Sequence, residues 1–118
     1  MPGISIHVVD VSRGVVASGM LVEVLAAATG MPPRLLASGR ISANGGLLHS
    51  ALEEPFEPGF YEARFHIADF YRAAIGEPAA TPFLDVATYR FGIADSDAHY
   101  HLPMKCTPWG YSCFRGGA

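Results

Sequence analysis

The feature that most constrains this chain is its punctuation. Turn signals recur along it: Ser12-Arg13-Gly14, then "TGMPP" at 29–33, "ANGG" at 43–46, "EPFEPG" at 54–59, "GEP" at 76–78 and "PWG" at 108–110. The stretches between them are short and strand-like, which predicts an all-β sandwich or barrel. Residues 4–10 set Ile4, Ile6 and Val8 on one face and Ser5, His7 and Val9 on the other, because successive strand side chains alternate. Residues 20–28 form a second candidate. Residues 35–40 and 47–50 are shorter ones, joined by Asn44-Gly45, a pair suited to backbone with φ > 0. In 59–67, Tyr61, Ala63, Phe65 and Ile67 face inward, opposite Glu62, Arg64 and His66. Residues 83–93, 98–106 and 111–115 complete about eight strands. The single helical piece is 68–76, with Asp69 near its start and Gly76 at its end.

With 118 residues, the chain suits one domain, 1–118, able to bury roughly two-thirds of its unfolded surface. Half of the residues are hydrophobic and 16% are charged, which argues against disorder. A net charge of −3 without a Lys/Arg cluster excludes nucleic acid as an expected partner. No apolar run approaches the ~20 residues of a membrane span. The start lacks the basic and apolar regions of a secretory signal, and the end is not a peroxisomal tripeptide, so a cytoplasmic location is expected. So few charges leave apolar surface that self-association would cover. Cys106 and Cys113 are expected to be thiols, since their spacing is no metal signature.

Polar groups crowd the last twenty residues. Strand parity puts His99, His101, Pro103 and Lys105 on one face, and Tyr100, Leu102, Met104 and Cys106 on the other, which is the core side. Lys105 lies four residues from His101 on the same face, and Ser112 and Arg115 follow closely. His49 and His66 read as surface residues.

Three stretches carry a resemblance. "ISIHVVDVSRGVVASGMLVEV" resembles the opening of the transthyretin-like 5-hydroxyisourate hydrolases. "HYHLPMKCTPWGYSCFRGG" resembles their C-terminal signature, and "GFYEARFHIADFY" their strand followed by the single helix. The resemblance implies a transthyretin-like (prealbumin) β-sandwich of two four-stranded sheets with one short helix. It also implies a homotetramer, a dimer of dimers whose central channel holds the active sites, acting on a small-molecule substrate of urate catabolism. It matches the family's catalytic histidines to His7 and His101, and the C-terminal Y-R-G-S segment to Phe114, Arg115, Gly116 and Gly117. The family's arginine after the D-G turn is Gly46 here, at the end of Asn44-Gly45-Gly46.

Opening a cyclic amide requires an activated water, a site for the developing oxyanion and a proton for the leaving nitrogen. Histidine as a residue type suits the proton-transfer roles, because it titrates near neutrality. His7 and His101 are the expected catalytic pair. They should meet, across a subunit boundary, in one cleft lined by His99, Lys105, Ser112, Phe114, Arg115 and Gly116. Neither a cofactor nor a metal is called for. His-x-His on a strand can chelate, but no third ligand is evident. Lys105 is expected to supply the positive charge lost at Gly46. Two functions stay open on these residues: a hydrolase, or a transthyretin-like small-molecule binding protein that has lost catalysis with its arginine.

Overall fold

The structure is a computed structural model and describes residues 2–76 and 80–117. Past Gly76, the turn expected at 76–78 lies outside the described residues. The strands are β1 (Gly3–Asp10), β2 (Val15–Val16), β3 (Leu21–Ala26), β4 (Arg34–Arg40), β5 (Gly59–His66), β6 (Val86–Ile93), β7 (His99–Thr107) and β8 (Gly110–Cys113). The helix α1 (Ile67–Ile75) follows β5 directly. Two four-stranded sheets form, in the orders β2-β1-β7-β8 and β4-β3-β5-β6. This is the expected transthyretin-like sandwich.

Alternation decides which face of each sheet is hidden. Ile4, Ile6 and Val8 of β1 lie beside Tyr100, Leu102 and Met104 of β7, in parallel register with Ile6 opposite Leu102. They meet Val22 and Val24 of β3 and Ala63 and Phe65 of β5 across the sandwich, all buried. Taking such side chains out of water is the main favourable term in the fold. The helix buries Ile67, Ala68, Phe70 and Tyr71. It stops at Gly76, whose φ of +99° favours glycine and whose N–H reaches the Arg72 carbonyl at 3.2 Å. Among the described residues no helix is long and apolar enough to cross a membrane.

Three strand expectations need correction. Residues 47–50 are not a strand. Gly46 makes a single bridge to His7, closed by Val8 N–H to Gly45 O (2.9 Å) and Leu47 N–H to Ile6 O (3.1 Å). The chain then leaves the sheet, because the His49 ring accepts from Ala51 N–H and starts a 3-10 turn, Ser50–Glu53. The eighth strand is instead Val15–Val16, too short to show any alternation. Residues 83–85 precede β6, since β5 ends with His66 opposite Val86 and its chain enters the helix. The Asp85 carbonyl there accepts from Ala68 N–H at 3.0 Å. Finally, β8 stops at Cys113 and does not run to Arg115. The ladder would next pair Phe114 with Pro103, which has no N–H to donate. Pairing resumes in the same register at Gly116, whose N–H meets the His101 carbonyl at 2.7 Å.

Candidate active site

The sheet β2-β1-β7-β8 presents its second face outward, and this face collects the polar residues of β1 and β7. Ser5 and His7 come from β1; His99, His101, Pro103 and Lys105 come from β7. The parallel register sets Ser5 opposite His101 and His7 opposite Pro103. His7 and His101 are therefore diagonal neighbours on adjoining strands, with Cα atoms roughly 8 Å apart. They share one face within a single chain, so a subunit boundary is not needed to place them on the same surface.

His7 is fixed by the turn that follows β4. Its Nε2 lies 3.0 Å from the Asn44 carbonyl oxygen, which can only accept, so Nε2 carries the proton and Nδ1 is left with its lone pair. The turn is drawn close to the ring. A Cβ at Gly45 would stand 2.4 Å from His7 Nε2, and Gly45 has a φ of +92°. Only glycine supplies both the conformation and the space. The Asn44 side chain shapes the same turn, accepting from Gly46 N–H at 3.1 Å and from the Ser42 hydroxyl.

His101 is held through Ser5. The Ser5 hydroxyl oxygen lies 2.6 Å from His101 Nδ1 and 2.7 Å from His99 Nε2. The far nitrogen of His99, Nδ1, points to the Pro2 carbonyl at 3.3 Å. Gly116 packs on the other side of His101. A Cβ there would stand 2.9 Å from His101 Cδ2 and 2.8 Å from Pro103 Cγ, so the C-terminal segment lies flat against the imidazole.

The other expected residues divide by strand parity. Lys105 and Ser112 are opposite one another on the outer face, and both are exposed. Lys105 pairs with Val9 of β1, one strand step beyond His7, and so is a diagonal neighbour of His7. Phe114 is exposed and shares this parity. Arg115 does not. Its guanidinium lies 4.1 Å from the ring centroid of Tyr100, an inner-face residue, and donates to the His99 carbonyl at 3.3 Å. Alternation after Cys113 gives Arg115 the parity of the inner face, and the cation–π contact with Tyr100 holds its exposed side chain at that edge, so within one chain it leaves the histidine face. Gly46 sits directly opposite His7 in its bridge. His49 and His66 stand apart: one caps the 3-10 turn, and the other is paired with Glu23 at 2.6 Å on the second sheet.

A cavity of about 490 Å³ opens beside Ser5 and His99. Ser5 and His99 lie on its wall with Ile4, Leu48, His49 and Leu52, so it is mostly apolar and large enough for a small ring. His7 and His101 are not in its wall and remain on the open face. Cys106 and Cys113 are free thiols, each pushed up to about 11 by burial, which favours the protonated thiol near neutrality. Sequence reasoning missed Ser5 and Gly45. Ser5 was visible only as the neighbour of His7 on one face, and Gly45 only as a turn residue.

The chain matches the HIUase/Transthyretin family over residues 4–116. It is 38% identical over 117 residues to a 5-hydroxyisourate hydrolase of Deinococcus radiodurans, covering 98% of this chain and 96% of that relative. A 5-hydroxyisourate hydrolase of Pseudomonas aeruginosa is 37% identical over 120 residues, covering 98% and 92%. Among solved structures, that of Klebsiella pneumoniae 5-hydroxyisourate hydrolase superposes with a TM-score of 0.78 at 26% identity, over 99% of this chain and 100% of that one. The crystal structure of (S)-allantoin synthase superposes with a TM-score of 0.86 at 29% identity; this chain covers 43% of that longer one.

Proposed function

The chain belongs to the HIUase/transthyretin family, and on that premise we propose that it is a hydrolase acting on 5-hydroxyisourate in urate catabolism. One observation supports this reading above the others. Two imidazoles from adjoining strands share a face, and each has one ring nitrogen tied to the protein while the other is unclaimed. That arrangement suits general acid–base catalysis, in which a positioned base must keep a free lone pair. His101 Nε2 takes a proton from water as the water oxygen adds to the acyl carbon. The C–N bond then breaks, and protonated His7 delivers a proton from Nδ1 to the leaving nitrogen. Exchange with solvent resets both rings.

The oxyanion needs a cation or donors. Gly46 offers no side chain, and Lys105 is the group we assign, from the same chain or a neighbouring copy. An amine is a point charge and lacks the fork of a guanidinium. Lys105→Leu should lower kcat/KM at least tenfold; unchanged turnover would remove Lys105 from the site. The face is too open to surround a ring. Trp109, Tyr111 and Phe114 are exposed on β8 and its flanks. Both facts favour a homotetramer, a dimer of dimers in which other copies wall the site. We read the chain as one domain working in the cytoplasm, without metal or cofactor.

The reading is tested by generating 5-hydroxyisourate with urate oxidase and following its ultraviolet absorbance. Faster decay with the protein, lost in His7→Ala and His101→Ala, is the expected result. Gly46 favours the second reading, a small-molecule binding protein. That reading predicts saturable binding with no acceleration of decay.

A further inference from the structure

We infer that Ser5 and His99 form a directed hydrogen-bond relay that sets the tautomer of His101, making Ser5 a positioning residue for the hydrolysis; the catalytic part of this rests on the function proposed above. The direction follows link by link. The Pro2 carbonyl can only accept, so His99 donates to it from Nδ1 at 3.3 Å. A neutral imidazole has one N–H, so His99 Nε2 is then a lone pair. The Ser5 hydroxyl has a single proton and donates it to His99 Nε2 at 2.7 Å. Ser5 Oγ accepts in turn from His101 Nδ1–H at 2.6 Å. His101 Nε2 is left bare, which is the state a general base requires.

The opposite direction fails at its end, because it would set the His99 Nδ1 lone pair against the Pro2 carbonyl lone pairs. The carbonyl of a residue outside the catalytic pair thus fixes a proton three links away. The choice matters because a histidine side chain in water favours the proton on Nε2, which would block the base. The relay selects the other tautomer. No carboxylate belongs to it, so it orients the ring and does not neutralise an imidazolium. When water gives its proton to Nε2, the Nδ1–H bond to Ser5 stays intact and no proton travels along the relay. The contact depends on register. Ser5 is directly opposite His101 in the parallel ladder, and its neighbour Gly3 is opposite His99, so one hydroxyl reaches both rings.

The relay is tested on the ¹⁵N-labelled full chain by long-range proton–nitrogen correlation in mildly alkaline buffer, with the His101 signal identified by its loss in His101→Gln. The expected result is a proton on His101 Nδ1 in the wild type. Ser5→Ala should move it toward Nε2 and lower kcat roughly tenfold or more with KM little changed. Ser5→Thr, which keeps the hydroxyl, should restore both. A wild-type His101 protonated on Nε2, or a tautomer unmoved by Ser5→Ala, overturns the relay. If the wild type fails to speed 5-hydroxyisourate decay while the tautomer shift is seen, the proposed reaction falls and the relay stands.

Discussion

The two faces of β1 carry two polar clusters built to opposite ends. On the inner face the strand ends in Asp10, which is fully buried. Its carboxylate accepts from Ser12 N–H at 3.1 Å, from the Ser12 hydroxyl, from Arg13 Nε at 2.7 Å and from the Tyr71 hydroxyl at 2.6 Å. That hydroxyl also lies 3.3 Å from the Cys106 carbonyl, tying α1 to both central strands of the sheet. On the outer face Ser5 and His7 join His99 and His101 in a cluster that is only half-buried and keeps two ring nitrogens free. The first cluster uses all its capacity to hold the fold. The second spends only enough to aim its rings. A saturated buried network is rigid and inert; one saturated on a single side is poised for chemistry.

The largest expected effects separate the clusters cleanly. His101→Ala should cut kcat by about a thousandfold while leaving the melting temperature within a degree or two of wild type. Asp10→Ala should do the reverse, costing about 3 kcal/mol of stability. It leaves the Tyr71 hydroxyl and the Arg13 guanidinium without their shared partner, yet turnover per folded molecule should be kept. Urea unfolding beside the absorbance assay measures both. A large loss of stability in His101→Ala, or of specific turnover in Asp10→Ala, would mean that the two faces are not independent.

Gly45→Ala is the substitution that should break the separation. It forces a side chain onto a backbone with a φ of +92° and drives a carbon to within 2.4 Å of His7 Nε2. Strain of this kind costs about 1–3 kcal/mol, and relieving it must displace the His7 ring. Stability and turnover should therefore fall together. Gly116→Ala should act more selectively, since its added carbon meets the His101 ring and Pro103. A Gly45→Ala variant of unchanged activity would show that His7 need not sit beneath the turn.

What was legible beforehand follows the same division. Alternation in β1, β5 and β7 is long enough to fix both strand and inward face, so the core and the outward histidines could be read from residue order alone. The misreadings share a cause. Residues 47–50 have strand-like composition, but their pairing ends after Gly46 because the His49 cap redirects the chain. Val15–Val16 is a strand only because β1 lies beside it. His7 and His101 were placed on one outward face by parity, and proposed as a pair by resemblance. Ser5 and Gly45 were not, because their roles depend on hydrogen-bond direction and on a turn folded over a distant ring, neither of which has a local pattern. Arg115 was assigned to the site by its place in a motif, and parity turned it to the other face.

Acid should sharpen the contrast at the buried end. Burial by itself pushes the Asp10 carboxyl up, but the hydrogen bonds from Ser12, Tyr71 and Arg13, with the charge of Arg13, more than offset this. The group titrates below its ordinary 3.8. The unfolded chain therefore binds this proton more readily than the folded one, and the stabilisation is complete above about 3.8 and lost as pH falls through the lowered folded value. The urea midpoint of the wild type should exceed that of Asp10→Asn by a constant margin near neutrality, and the margin should shrink in strong acid. A margin independent of pH would mean that Asp10 is not held as a carboxylate.

The smallest expected effect is a gain, at Gly46, where the resemblance implies an arginine. Gly46 is opposite His7 in an antiparallel bridge, and directly opposed residues send their side chains to the same face. A side chain there would thus emerge beside the imidazole. The backbone allows it: φ at Gly46 is not in the left-handed region, and an added Cβ meets only Asn44 Oδ1 at 3.4 Å and the Ile6 carbonyl at 3.8 Å. Gly46→Arg should therefore fold normally and return a guanidinium to the histidine face. If Lys105 covers the lost charge only as an imperfect point charge, kcat/KM should rise about tenfold, or 1.4 kcal/mol of barrier. The same substitution in a Lys105→Leu background should recover most of what that variant lost, because the two cations serve one developing charge. Additive effects of the two changes would place them at separate tasks, and no gain in either background would show that the oxyanion is already held by groups other than position 46.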